Sequence, residues 1–266
     1  IDAREQLTDI GRRLARIPVD PRQGRILLAG LDEDCLDEAA ILAAALAVPD
    51  PRDRPVERRD AADEAHRRFR HESSDFLSLL RIWDAFEDQR RAGTSGALRR
   101  WCEQHFLSWV RMREWRDLHR QLLGLVPEAG RVRRRDGGRG GGERTNLERA
   151  PADAIHRAVL GGLLSNVGVR DEETGVYRGV RGGEFVLHPS STLHRASPEW
   201  VMAAEVVETT RRYARTVAAI RPQWLETVAA HLLRKRHAEP RWDRASGRVV
   251  CTERLTLFGR ELGRGR

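Results

Sequence analysis

A multidomain α+β protein is predicted, mainly helical in its first half and built of short strands around a small β-barrel in its second. Three observations lead there. The 266 residues exceed what one hydrophobic core ordinarily serves, so two or three modules are expected. Apolar residues recur at spacings of three and four as far as Leu123, and after Asn166 they fall into short runs bounded by turn residues. Between the halves, Gly130 to Gly142 (GRVRRRDGGRGGG) has no hydrophobic period and reads as a flexible linker whose far end is Asn146 to Pro151.

Composition limits the function classes. Hydrophobic residues are 40% and charged residues 33% of the chain, a globular balance with a heavily charged surface. No run of about eighteen apolar residues offers a membrane span, and no basic start leads into an apolar stretch. A soluble, cytoplasmic, monomeric protein without a membrane partner is expected. Cys35, Cys102 and Cys251 are far apart and outside any C-x-x-C pair, so a disulfide framework and a zinc site are both disfavoured and buried filling is expected. The formal charge of +8 attracts polyanions, nucleic acid first among them. Lys235 is the only lysine, and guanidinium forks suit phosphate and base stacking better than ammonium groups do.

Leu7, Ile10 and Leu14 share a helical stripe that Pro18 and Pro21 end. A second helix covers Arg22 to Leu31. The acidic stretch Asp32 to Glu38 then precedes the Ala/Leu-rich segment Ala39 to Val48, where it offsets the helix dipole; metal binding by these carboxylates ranks below that role. Pro49 to Pro55 forms a rigid connector. Ser73 and Ser74 are good N-caps for a helix to about Ala92 whose inner face holds Phe76, Leu79, Leu80, Trp83 and Phe86. His71, Ser73 and Asp75 are too close in sequence to converge as a triad. One long helix is predicted over Leu98 to Leu123, with a core stripe of Cys102, Phe106, Trp109 and Met112. Arg113, Arg116 and Arg120 form a second row on it. That row suits a phosphate backbone, or a solvated face partly neutralised by Glu114 and Asp117.

After a short helix, Ile155 to Leu164, five strands are predicted near Asn166 to Arg170, Val176 to Arg181, Glu184 to His188, Trp200 to Glu208 and Tyr213 to Ile220. Gly175 and Gly182-Gly183 mark turns. Such a string fits a small barrel such as an OB-fold or a fragment of a sandwich. Pro222 opens a helix over Gln223 to Leu233, and a last pair of strands covers Arg248 to Glu253 and Leu255 to Phe258.

In this order the motifs resemble the DEAH-box RNA helicases of the bacterial HrpA type. Leu7-Thr8-Asp9-Ile10-Gly11-Arg12 with Leu14-Ala15 and Pro18-Val19-Asp20-Pro21 resembles the end of a winged-helix domain. Cys35 to Arg54, Ser74-Asp75-Phe76-Leu77 through Trp83, and Trp101-Cys102 to Gln121-Leu122 resemble the helical ratchet (HA2) domain. Gly161-Gly162-Leu163-Leu164-Ser165-Asn166, Tyr177, Phe185 to Ser191, Trp200-Val201-Met202, Glu205, Thr209, Thr210, Arg215 and Trp224-Leu225 resemble the family's OB-fold. The resemblance implies a winged-helix remnant over 1–30, a ratchet bundle over 31–125, a linker over 126–151, an OB-like barrel with a C-terminal helix over 152–234, and an HrpA-type extension with extra strands over 235–266.

The chain has no G-x-x-x-x-G-K-[ST] phosphate loop and no Asp-Glu-Ala-His box. By the resemblance, the motor domains lie upstream and hold the ATP and Mg, this chain holds no cofactor or catalytic residue and hydrolyses no ATP alone, and the sequence is a fragment or a truncated gene product. Its partners would be single-stranded RNA and the motor domains of the same polypeptide, with the chain lining part of the RNA channel; a stand-alone RNA-binding adaptor is the alternative. Implied RNA contacts are Arg113, Arg116 and Arg120 in the helical half. In the barrel they are Arg178, Arg181, His188, Ser190, Ser191, Arg195, Thr209 and Arg215.

Overall fold

In the computed structural model, which describes residues 5–126, 149–243, 247–258 and 260–264, side-chain caps start most helices of the first half. Thr8 accepts from the Gly11 amide before α1 (Asp9–Leu14), and Asp20 accepts from Arg22 before α2 (Pro21–Asp32), which has proline in its first turn. Ser74 accepts from the Leu77 amide before α5 (Asp75–Ala92). Thr94 caps α6 (Ser95–Gln104) and Ser108 caps α7 (Trp109–Leu125). The others are α3 (Leu36–Ala47), α4 (Arg59–Arg67) and α8 (Ala152–Leu163). The chain divides into two compact units, Ile1–Gly162 and Leu163–Arg266. The predicted linker Gly130 to Gly142 lies outside the described residues.

The first unit is built around α3. Leu36 and every residue from Ala39 to Ala45 are buried, the signature of a helix enclosed by others, and α2, α5 and α7 pack against it. Trp115 of α7 is fully buried and its indole Nε1 donates to the Ile41 carbonyl at 2.8 Å, while its ring lies 5.2 Å from that of Trp83 on α5. Cys35 and Cys102 are buried as expected, and burial pushes both thiols up to about 12. The side chain of Cys251 lies outside the described residues. The expected stripe of α1 is not buried: Leu7 and Ile10 are 47% and 44% exposed.

The helix predicted over Leu98 to Leu123 is interrupted. The single helix over Leu98 to Leu123 is two helices, α6 and α7, broken at His105 to Ser108. Phe106 adopts φ 52, a left-handed conformation that cannot continue a helix. The break is held from outside, because the Ser108 amide donates to Pro51 O at 2.8 Å and Leu107 bridges Arg52.

His156 on α8 is 5% exposed and its Nε2 lies 2.9 Å from Ser74 Oγ. That hydroxyl accepts from the Leu77 amide, so its own proton is available to a neutral imidazole. Burial holds the His156 pKa at about 4, below the ordinary 6.5. The unfolded chain therefore binds this proton first, and the contribution is full above pH 6.5 and is lost as pH falls towards 4. At pH 5 the loss is about 2 kcal/mol. Urea unfolding at pH 7.5 and pH 5.0 checks this: His156→Gln should remove that part of the pH dependence, and equal losses in both proteins would refute it.

In the second unit, Leu164 to Asn166 form a short 3-10 turn, followed by β1 (Val167–Arg170), β2 (Tyr177–Gly179), β3 (Glu184–Leu187), β4 (Trp200–Glu208) and β5 (Arg212–Ala219). They close a barrel in the order β1-β2-β3-β5-β4. β3 and β5 run parallel, and the remaining pairs are antiparallel, β1 and β4 closing the ring. The closed ring decides between the barrel and the sandwich fragment. Alternate inward positions supply the core: Tyr177, Phe185, Leu187, Val201, Ala203, Ala214 and Val217. Tyr177 and Phe185 stack at 5.6 Å, the Tyr177 hydroxyl donates to Pro198 O at 2.6 Å, and Gly168 leaves room for the Phe185 ring, whose Cε1 would lie 2.9 Å from an added Cβ.

Beyond the barrel, α9 (Pro222–Val228) is shorter than the predicted Gln223 to Leu233 helix. Leu233 instead opens β6 (Leu233–Asp243), which pairs with β7 (Arg248–Leu257), and β8 (Arg260–Arg264) completes a three-stranded sheet. The two strands predicted over Arg248 to Phe258 are one, and β6 and β8 are additional. Three consecutive basic residues, Arg234-Lys235-Arg236, interrupt any period-two apolar pattern in β6, so charge conceals a strand that only its partner across the Gly247 turn (φ 61) establishes.

Candidate nucleic-acid interface

The arginine row of α7 has three different fates. Arg113 is exposed and lies over the Trp109 ring at 5.7 Å. Arg116 donates Nε to Glu87 Oε1 at 2.9 Å, and Arg90 donates to the other oxygen of the same carboxylate at 2.9 Å. Glu87 is 7% exposed, so two guanidinium groups satisfy a carboxylate that burial would otherwise destabilise. Arg120 pairs with Asp117 on its own helix and is 60% exposed. Spacing alone thus aligns three arginines that tertiary contacts separate: Arg116 ties α7 to α5, while Arg113 and Arg120 face outward.

On the barrel, the outer surface of β2 and β3 and the loops between β1 and β2 and between β4 and β5 are where OB-folds take oligonucleotides. Arg178 projects outward from β2 between two acids, paired with Asp171 at 2.5 Å and opposite Glu184 in the ladder. Asp171 is itself fixed as the hinge of the β1–β2 loop, since Oδ1 accepts from the amides of Glu173 and Thr174 at 3.2 and 3.0 Å. Hydrogen bonds from Thr174, amide first, hold its carboxyl below the usual range. Arg181 is exposed at the β2–β3 turn.

Around the β3 end, His188 donates its amide to Ala214 O at 3.0 Å, its Nδ1 accepts from the Ser190 amide at 3.2 Å, and its ring meets Tyr213 edge-on at 5.5 Å. Ser190 is exposed. Ser191 is 7% exposed and its hydroxyl accepts from the Leu193 amide, which makes it a brace for the β3–β4 connection. Arg195 is exposed on that connection. Thr209 closes the β4–β5 turn, donating amide and hydroxyl to Arg211 O at 3.0 and 3.2 Å. Arg215 is exposed opposite Glu205 on the β4–β5 ladder.

Three further cations were not singled out from the sequence. Arg211 is exposed at the β4–β5 turn. The Arg212 guanidinium lies over Gly183 of the β2–β3 turn, at a position (φ 79) where a side chain would collide with it. Together with Arg181 they bring positive charge to two adjoining turns. Arg170 at the end of β1 has Nε buried without a hydrogen-bond partner. The tight Thr209-Thr210-Arg211-Arg212 turn was the available signal for the first two. Among the described residues no group of His, Cys, Asp or Glu is arranged to hold a metal ion, and none of their helices is long and apolar enough to cross a membrane.

A helical module is followed by a closed five-stranded barrel, and family models match both. Residues 20–79 match the helicase associated domain (HA2), ratchet-like, and residues 155–232 match the oligonucleotide/oligosaccharide-binding (OB)-fold. The chain is 41% identical over 254 residues to the ATP-dependent RNA helicase HrpA of Escherichia coli, an alignment covering 96% of this chain and 19% of that protein. It is 39% identical to the HrpA homolog of Haemophilus influenzae, over 95% of this chain and 18% of the relative. It is 30% identical to the pre-mRNA-splicing factor ATP-dependent RNA helicase prp22 of Schizosaccharomyces pombe, over 86% and 18%. Over nearly its whole length the chain is similar to the C-terminal region of HrpA-type DEAH helicases. It spans about a fifth of the length of the curated relatives it matches.

Proposed function

We propose that this region lines part of a single-stranded RNA channel beside the ATP- and Mg-binding motor domains of a longer polypeptide, and contributes no ATP hydrolysis of its own. The observation that carries the reading is the closed five-stranded barrel with Arg181, Arg211 and Arg212 gathered at its β2–β3 and β4–β5 turns. Positive charge at the loops of an OB barrel tracks a phosphodiester backbone without reading sequence. The names of the relatives, ATP-dependent RNA helicases, support RNA as the strand.

Fluorescence anisotropy with a labelled oligouridine tests the reading. The 266-residue chain should bind at low salt and weaken linearly in log–log form as salt rises. Arg181→Gln, Arg195→Gln and Arg211→Gln together should reduce the slope by about 2, since each single-strand phosphate contact contributes about 0.7. Absence of binding at low ionic strength, or an unchanged slope in the triple variant, would remove the barrel from the RNA path. In α7, Arg113→Gln with Arg120→Gln probes phosphate contact, whereas Arg116→Gln also breaks the Glu87 pair.

A further inference from the structure

The strands that follow the barrel lie beyond both family matches, the later of which ends at residue 232. Residues 233–264 hold nine lysines and arginines against four acids, and so carry more than half of the chain's formal +8. At the turn end of the β6–β7 hairpin, Trp242 stands directly opposite Val249, and the two are 62% and 63% exposed. Directly opposed side chains on a sheet are close enough to touch, yet most of the tryptophan remains in water. Their neighbours along the strands, Arg241 and Arg248, are also exposed and by alternation occupy the other face. Asp243, opposite Arg248, is the one acid among the paired residues at this end. Because β6 is an edge strand of the sheet, a ligand running along it meets the indole on one side and guanidinium groups on the other.

One exposed apolar side chain on a surface is ordinary, but here a tryptophan and a valine form a continuous apolar strip within a strongly basic sheet. The charge calls for a polyanion, and the open indole calls for a flat apolar partner. A single-stranded nucleic acid supplies both, since phosphates and unstacked bases succeed one another along one chain. An acidic peptide answers the charge and leaves the ring in water. We propose that Trp242 is a stacking platform for a base of single-stranded RNA, with Arg241 and Arg248 against the neighbouring phosphates, a contact made entirely by residues outside the barrel. That the strand is RNA rests on the reading proposed for the barrel; the stacking itself does not. Every base has a π-face, so the contact adds affinity without selecting sequence.

The test is Trp242→Val in the 266-residue chain, measured by anisotropy with labelled oligouridine across a salt series. Valine keeps the strand propensity and an apolar pair with Val249, so the hairpin is retained while the ring is removed. Affinity should fall about tenfold at every salt concentration, with the salt slope unchanged, because an indole neutralises no phosphate. Trp242→Tyr, which restores a ring, should recover most of the loss. A labelled abasic strand of the same length has phosphates and no bases, and should bind the wild type and Trp242→Val equally. Unchanged oligouridine affinity in Trp242→Val would overturn the proposal and leave the exposed indole to a protein partner. Failure of Trp242→Tyr to bind better than Trp242→Val would overturn it as well, since stacking requires the ring. The barrel variants are read from the slope and this one from affinity at constant slope, so the two readings fail separately.

Discussion

Replacing Trp115 by alanine should destabilise the first unit by about 3–5 kcal/mol, the range for emptying a buried indole site. The ring is fully buried, packs against Trp83 at 5.2 Å, and its Nε1 hydrogen bond to Ile41 O joins α7 to the enclosed helix α3. Truncation leaves a cavity between three helices that cannot close without shifting α3. Trp115→Phe keeps most of the packing and loses the donor, so it should cost less, about 1–2 kcal/mol. Denaturant unfolding followed by circular dichroism decides the matter. A loss below about 1 kcal/mol for the alanine variant would show that this contact does not organise the bundle.

The second large effect is expected at Gly162, where alanine should cost about 3 kcal/mol, at the upper end for overpacking. An added Cβ would collide with the Arg22 carbonyl oxygen on α2 and lie 2.6 Å from Ile26 Cγ1. A backbone carbonyl cannot rotate away as a flexible side chain does, so α8 would have to separate from α2 and strain the Arg157–Glu33 pair, now 2.6 Å. Gly124 near the end of α7 is the contrast. A Cβ added there would meet nothing within 4 Å, and Gly124→Ala should stabilise by about 0.5–1 kcal/mol through helix propensity. Equal effects of the two substitutions would mean that α8 does not dock closely on α2.

Much of this architecture was legible because it is local. Ser74 before Asp75, and Asp20 before Pro21, announce helix starts through the chemistry of their own side chains. The five barrel strands fall where β-rich runs and Gly175 or Gly182-Gly183 place them, since alternation with a period of two survives in the sequence whatever the partner strand is. Where the reading failed, a distant residue decided. Nothing between Cys102 and Met112 interrupts the helical spacing, yet Pro51 and Arg52 hold the chain open at Phe106. Likewise β6 reads as charge until β7 pairs with it.

The interface divides along the same line. The sequence by itself determined the excess of arginine, the class of polyanion that excess attracts, and the run of strands from Val167 to Ala219, because charge and periodicity are properties of the chain. Only the tertiary structure decided which arginines are engaged. Glu87 on α5 takes Arg116 and Arg90, Asp171 takes Arg178, and the closed barrel brings Arg212 onto Gly183. A guanidinium pairs with whichever carboxylate folding carries within reach, and that distance is set by packing between segments remote in sequence.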